Sequence, residues 1–366
     1  MRAACVPLLT AALAVGCSDA SVVADAGAPP PLRRDVDLLF VVDSSGSMVE
    51  EQSSFAADMS TLVAMLTRGD VDGDGLGDVE PPASVQVGFV TSDLGVGDSE
   101  LPTCDSLGED AQLREVGCGE AHPAVQTLDP DVDLELAARD LACVARVGEG
   151  CGFEQPLEAM LKAASPAAAT DWTAPGYVPP VFARGAAGRG DAHGLVRPGT
   201  VLAVVLISDD DDCSARDPGF FDPSTDRYGD LSSRCVEHAE DGLHPVSRYV
   251  DGLLQLRHRP ERLVYVPIAG VPVDLAPAPG EPIAWPTLTG PEGDRDLRLL
   301  QRPDPTRPGA LLPSCDIPGR GATDPPLRLL RVAEALEARG ARVGAVSVCQ
   351  DDGYLAPVAR AILEAL

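Results

Sequence analysis

Val36-Asp37-Leu38-Leu39-Phe40-Val41-Val42-Asp43-Ser44-Ser45-Gly46-Ser47 is the stretch that decides the fold. Its first seven residues are almost continuously apolar, as expected of a strand covered on both faces rather than on one. Asp43 closes that strand. A polar turn follows, and then residues 50–67 carry Phe55, Met59, Leu62, Val63 and Leu66 at helical spacing. A buried strand, a tight turn and an amphipathic helix are the opening unit of an α/β sheet.

The rest of the chain repeats the rhythm. Residues 85–91 read as a second strand, and 201–207 as a wholly apolar one followed by Asp209. Residues 263–268 and 343–348 supply two more. Helical patterns cover 133–147, 154–164, 245–256, 326–339 (stopped by Gly340) and 354–366. Such alternation predicts an α/β domain over residues 35–366, its sheet covered by helices on both faces. Residues 92–130, 171–199 and 270–325 break the pattern with glycine, proline or sparse periodicity, and are expected to be loop insertions.

The N-terminus reads as an export signal. One arginine precedes an apolar run from Val6 to Val15, too short to span a bilayer. Leu13-Ala14-Val15-Gly16-Cys17 resembles the lipobox of bacterial lipoproteins, with the leucine one place early. Residues 1–16 are then a signal peptide and Cys17 the lipidation site. Residues 17–34, Ala/Pro/Ser-rich up to Pro29-Pro30-Pro31, form a flexible tether. The expected location is the bacterial cell envelope, facing periplasm or cell surface, with the membrane reached through the lipid anchor. The alternative is a plain secretory signal with an incidental cysteine.

Beyond Cys5 and Cys17, eight cysteines remain: Cys104, Cys118, Cys143, Cys151, Cys213, Cys235, Cys315 and Cys349. In an exported chain an even number implies disulfides, with the pairing open. The formal net charge of -29 argues against nucleic acid as a partner, because phosphate binding needs a basic footprint.

Asp43-Ser44-Ser45-Gly46-Ser47 has side-chain oxygens at alternate positions of one turn, and these can converge on one point. Carboxylates and hydroxyls are hard ligands that select Mg2+, Ca2+ or Mn2+ over softer metals. Asp209, beyond the 201–207 strand, offers a second carboxylate at the same kind of strand end. Thr91, Ser92 and Asp93 are further oxygens near that edge. Capping of the following helix is the plainer role for Asp43.

This Asp-x-Ser-x-Ser turn after Leu38-Leu39-Phe40-Val41-Val42 resembles the metal-ion-dependent adhesion site of von Willebrand factor A domains. Ile207-Ser208-Asp209-Asp210 is similar to that family's later Thr-Asp-Gly segment. The resemblance implies a doubly wound, mostly parallel six-stranded sheet flanked by helices. It implies a divalent cation, Mg2+ or Ca2+, held by Asp43, Ser45, Ser47 and Asp209. It also implies a protein or extracellular-matrix ligand whose acidic group completes the coordination. The family's further threonine has no counterpart in Gly150-Cys151-Gly152-Phe153-Glu154-Gln155. Glu154 or Gln155 replaces it, Glu154 giving a more negative set that favours calcium, or the ligand is missing or is a water.

A second acidic loop, Asp70-Val71-Asp72-Gly73-Asp74-Gly75-Leu76-Gly77-Asp78, resembles the start of an EF-hand calcium loop. Asp70, Asp72, Asp74 and Asp78 would give carboxylates and Leu76 its carbonyl, while Gly75 allows the turn. Position twelve is Pro81 where a glutamate is expected. Nucleophile-elbow, phosphate-loop and zinc-helix motifs are absent from the sequence. The expectation is a binding module and not an enzyme. The alternatives are a surface scaffold with a stabilising ion and a metal-assisted hydrolase.

Overall fold

Asp35–Val42 forms the central strand, β1, with every residue buried. The reason is that both faces of the sheet are covered. Val36, Leu38, Phe40 and Val42 pack on one side with Phe55, Leu62, Leu141 and Val358. Leu39 and Val41 pack on the other with Leu157, Leu161, Leu253 and Val332. Each such side chain contributes about 1.5–3 kcal/mol when fully buried, so an alternating polar strand here would leave one helical layer undocked. The computed structural model describes residues 29–307, 309–317 and 320–366; the 1–16 signal, Cys17 and most of the tether lie outside the described residues.

β1 runs parallel to β2 (Ser84–Thr91) and to β4 (Val201–Ile207). β4 pairs in parallel with β5 (Leu263–Ala269). At one edge β5 takes two short parallel pieces, β6 (Arg342–Val343) and β7 (Val346–Ser347). At the other, β3 (Gln126–Leu128) lies antiparallel to β2. The order β6/β7-β5-β4-β1-β2-β3 is the doubly wound arrangement, with the chain winding outward in both directions from the β1/β4 pair.

The helices are α1 (Val49–Ala57), α2 (Met59–Arg68), α3 (Leu134–Ala145), α4 (Pro156–Ala164), α5 (Val246–Leu254), α6 (Leu327–Glu337) and α7 (Leu355–Leu363). Residues from α1, α2, α3 and α7 fill one face; residues from α4, α5 and α6 fill the other. Among the described residues no helix is long and apolar enough to cross a membrane.

Three local expectations are corrected. The 50–67 helix is two helices, broken at Asp58, whose Oδ2 accepts the Leu355 N–H at 2.8 Å and so caps α7. The last strand is interrupted at Gly344, where a Cβ would stand 3.0 Å from a Val266 methyl. The 92–130 segment is not all loop, because it holds edge strand β3 and a two-residue hairpin, Val116–Gly117 with Glu120–Ala121.

The eight cysteines form four disulfides: Cys104–Cys151, Cys118–Cys143, Cys213–Cys235 and Cys315–Cys349. Two of them staple segments at the carboxyl end of the sheet. There Val96, Cys151, Cys213, Phe220, Phe221 and Tyr228 make a small core of their own.

Candidate metal centre

Because β1 and β4 are neighbours from which the winding diverges, the crevice beyond their carboxyl ends is the place where such sheets hold ligands. The Asp43 N–H donates to the Ile207 carbonyl at 2.9 Å, carrying the ladder one residue past the strand. That step sets Asp43 beside Ser208. The Asp43 side chain is fully buried. Its Oδ1 accepts the Ser45 N–H at 2.7 Å, and its Oδ2 accepts the Ser208 hydroxyl at 2.5 Å. Ser45 and Ser47 hydroxyls lie 2.9 Å apart. Asp43 does not cap α1: its carboxylate folds the turn and leaves the helix start without a side-chain cap.

The Gly150–Gln155 turn is sewn to the same place. Gly150 N–H donates to the Ser44 carbonyl at 2.5 Å, an approach that needs glycine, since a Cβ there would stand 2.7 Å from Ser44 Oγ. Gln52 donates to the Asp43 carbonyl at 2.9 Å and exchanges hydrogen bonds with Gly148 at 3.0 and 3.1 Å. Gln155 N–H donates to Ser92 O, and Cys213 N–H to Glu154 O. Cys104–Cys151 locks the turn to the 93–110 segment.

Charge then accumulates, countered at its margins by Arg320, 3.9 Å from Glu51, and by Arg328, paired with Asp212 at 3.0 Å. Asp209 is 5% exposed and Glu154 4% exposed; Asp209 Oδ1 and Glu154 Oε1 are buried with no hydrogen-bond partner. Such orphaned acceptors are rare in folded proteins and costly. Burial, then the Asp43 charge, pushes the Asp209 carboxyl up to about 8, opposed by the Ser47 hydroxyl. Burial, then Asp43 and Asp210, raises Glu154 well above the carboxylate range. Asp43 itself is raised by burial against its Ser208 and Ser45 hydrogen bonds.

The donor set fits a hard divalent cation. It consists of carboxylate and hydroxyl oxygens, two of them buried and unpartnered, in a nest of like charge that a cation would relieve. Asp43, Ser45, Ser47, Asp209 and Glu154 lie around one strand-end crevice, but Asp43, Asp209 and Glu154 do not each bring a carboxylate oxygen within 4.8 Å of the others, as Asp70, Asp72 and Asp78 do. The Gln155 amide nitrogen donates to the Gly95 carbonyl at 3.0 Å, which fixes the orientation of that side chain. Of the other edge oxygens, Thr91 Oγ1 is buried and unpartnered. Ser92 Oγ accepts the Ser44 N–H, and Asp93 Oδ1 accepts the Gly95 N–H.

Ser208, Glu51, Asp210 and Asp324 were not among the ligands expected from the sequence. Ser208 stands within the segment already singled out, and a hydroxyl beside the second aspartate was the available signal. Glu51, buried on α1, adds its charge to that on Asp209. Asp210 is raised well above the usual range by burial, then by Asp209 and Asp324; nothing in the 270–325 sequence marks Asp324. Asp211 and Asp212, which follow in the chain, are both engaged. Asp211 accepts the Arg328 N–H at 2.9 Å, and Asp212 accepts Arg328 Nε and the Leu157 N–H, each at 3.0 Å.

The second acidic loop lies between α2 and β2. Asp70, Asp72 and Asp78 each bring a carboxylate oxygen within 4.8 Å of the others. Asp70 is buried and accepts the N–H groups of Gly73 at 2.7 Å and Gly75 at 2.8 Å. Asp78 accepts Val71 N–H at 2.8 Å. Asp74 is outside the trio and caps the Leu76 N–H at 2.8 Å, while the Leu76 side chain stays exposed. This cluster, like the first, has the oxygen chemistry to hold a divalent ion. A scan of the chain against protein-family models finds no match, and no curated protein matches it.

Proposed function

We propose that the chain is a von Willebrand factor A-type binding module that holds one Mg2+ or Ca2+ with Asp43, Ser45, Ser47 and Asp209. Glu154 takes the place of the family's threonine and makes the set more negative. The bound ion then accepts the acidic group of a protein or matrix ligand. The observation that carries this reading is the pair of buried, unpartnered oxygens, Asp209 Oδ1 and Glu154 Oε1, beside fully buried Asp43. A cation supplies the charge that the fold leaves out.

The same proposal makes the protein a binder with no turnover of its own. It sits in the bacterial cell envelope, attached through lipid on Cys17, and the 17–34 tether gives the domain reach from the membrane. A second, structural ion at Asp70, Asp72 and Asp78 is favoured by the convergence of those three carboxylates.

Calorimetric titration of Mg2+ and Ca2+ into the chain tests the central claim. The tighter of the saturable events is expected to disappear in Asp209→Ala and persist in Asp70→Ala. No saturable heat up to about 10 mM, beyond the range of weak extracellular sites, would overturn it. So would full retention of binding in Asp209→Ala.

A further inference from the structure

At the amino ends of β1, β4 and β5 the chain is rich in arginine, in a protein whose net charge is -29. Arg257, Arg259 and Arg262 line one shallow depression there, together with Pro29, Leu32 and Trp172. The carboxylates beside them are already used. Asp37 is shared between Arg197 at 2.6 Å and Arg257 at 3.3 Å, and Asp35 is taken by Arg33 at 2.5 Å. Arg259 and Arg262 enter no ion pair among the described residues; Glu261 acts on Arg262 only at longer range. The acidic Asp70 loop precedes β2 at the same end of the sheet. It stands three strand spacings from β5, about 14 Å, which exceeds the screening length of about 8 Å.

Two independent observations give this face a ligand. The first is an unmet donor: Arg257 is 4% exposed, and its Nε is buried with no partner. Behind exposed Arg259, burial and then the Arg259 charge pull Arg262 down, a crowding that an anion would relieve. The second is an apolar tip, Pro29-Pro30-Pro31-Leu32, whose leucine is 49% exposed. The tip is fixed to this face. Arg33 N–H donates to the Gly199 carbonyl at 2.9 Å, and Arg262 Nη1 donates to the Arg33 carbonyl at 3.2 Å. Gly199 has φ +72°, and a Cβ there would stand 2.1 Å from the Pro31 carbonyl oxygen.

An exposed leucine among prolines, ringed by guanidinium groups, matches the boundary of a phospholipid bilayer, where apolar side chains enter and phosphates lie at the rim. A free anion would leave Leu32 without a role. Residues 17–28 reach at most about 40 Å when extended, and they join the domain at this face. We propose that the amino-end face rests on anionic phospholipid, with Leu32 in the interface and Arg33 and Arg259 at lipid phosphates. The metal crevice, at the other end of the strands, then points away from the membrane. This orientation rests on the envelope reading above, whereas the affinity for anionic lipid does not require the lipid on Cys17.

The chain from residue 17 to 366, made as Cys17→Ser so that it carries no lipid, is mixed with vesicles and followed by co-sedimentation. The vesicles are phosphatidylcholine alone, or phosphatidylcholine and phosphatidylglycerol in equal parts, at low salt and in EDTA so that no cation bridges the acidic loops to lipid. Binding to the anionic vesicles only is expected. Arg259→Gln, at an exposed and unpaired position, should weaken it about fivefold, and Arg259→Lys should restore it. Leu32→Ser should weaken it roughly threefold, and Arg139→Gln, on α3, should leave it unchanged. No binding, equal binding to both vesicle types, or undiminished binding in Arg259→Gln and Leu32→Ser overturns the proposal. Displacement by inorganic phosphate at matched ionic strength marks a free-anion site and overturns it too. The two readings fail separately. Lipid on Cys17 of the parent by mass spectrometry, with no vesicle binding by the Cys17→Ser chain, sinks the docking alone; vesicle binding with no lipid on the parent sinks the anchor alone.

Discussion

The chain holds two acidic clusters, and they are built on opposite principles. In the Asp70 loop the carboxylates converge, Asp72 and Asp78 are exposed, and Asp70 and Asp78 have backbone N–H donors. Beyond β1 and β4 the carboxylates are buried, repel one another, and keep oxygens with no donor at all. Convergence is cheap where water screens charge, because the backbone alone can draw aspartates together while closing a turn. Buried, unsatisfied repulsion is not cheap. The second arrangement therefore says more about a missing partner than the first, although it has the poorer convergence.

The largest expected effect breaks the stronger cluster. Asp209→Asn should lower Mg2+ affinity by about 1000-fold, which is ~4 kcal/mol at 1.4 kcal/mol per decade. In the parent chain, Mg2+ at a hundred times its Kd stabilises by about 2.7 kcal/mol. For a domain of this size that raises Tm by roughly 4 °C. Differential scanning calorimetry checks both: the rise should vanish in Asp209→Asn and survive in Asp70→Asn. Equal loss in both variants would erase the distinction between the clusters.

Next in size is the staple. Replacing Cys104 and Cys151 by serine opens a loop spanning 47 residues, which in the chain-entropy account costs about 4 kcal/mol. That bond anchors the turn carrying Glu154, so cation affinity should fall with stability. Cys118–Cys143 ties the 116–121 hairpin to α3 and lies outside the Gly150–Gln155 turn. Its removal should cost about 3 kcal/mol and spare the cation. Chemical denaturation with and without Mg2+ separates the two.

A smaller effect comes from protons. With the metal chelated, Asp209 holds its proton up to about 8 in the folded chain, against about 4 when unfolded. The folded state then binds more protons between those values, so metal-free stability should fall as pH rises from 4 to 8. Asp43, Glu154 and Asp210, whose carboxyls are raised as well, share this proton uptake. The part due to Asp209 is therefore on the order of 2 kcal/mol out of the roughly 5 kcal/mol that a span of about four pH units implies, and Asp209→Asn should reduce the slope without removing it. Melting curves in chelator across that range decide the matter, and a rise in Tm toward pH 8 traced to Asp209 would contradict the sign.

How legible all this was in the sequence follows from where the information is stored. Apolar runs ending in Asp43 and before Asp209 announced β1, β4 and the crevice, because burial on both faces writes itself into composition. Strand β3 did not announce itself. Gln126–Leu128 is three residues long and needs only the edge of β2 to pair with. The break at Asp58 is fixed by Leu355, 297 residues away, and the split of the last strand by Val266 packing on Gly344. Ligand candidates named from spacing lie around one crevice, where the Gln155 amide nitrogen is held by the Gly95 carbonyl, a contact no local pattern encodes. Asp324 reaches the site through the hydrogen bond from its N–H to the Asp209 carbonyl at 2.8 Å.

The smallest effect lies in the loop that converges. Asp72→Asn removes an exposed carboxylate of the trio but no backbone cap beyond that on Asp74 N–H, which an asparagine oxygen still accepts. Without calcium its stability should stay within about 0.5 kcal/mol of the parent. Asp70→Ala is different, because it strands the Gly73 and Gly75 N–H groups and should cost about 1–2 kcal/mol with or without calcium. A structural ion is therefore read from Asp72→Asn alone. At millimolar Ca2+, a site of 10⁻⁴–10⁻³ M strength adds roughly 1 kcal/mol, and that increment should be missing in Asp72→Asn. If Asp72→Asn gains as much from Ca2+ as the parent does, the convergence of Asp70, Asp72 and Asp78 is a by-product of turn closure. The buried cluster would then be the only one of the two that needs an ion.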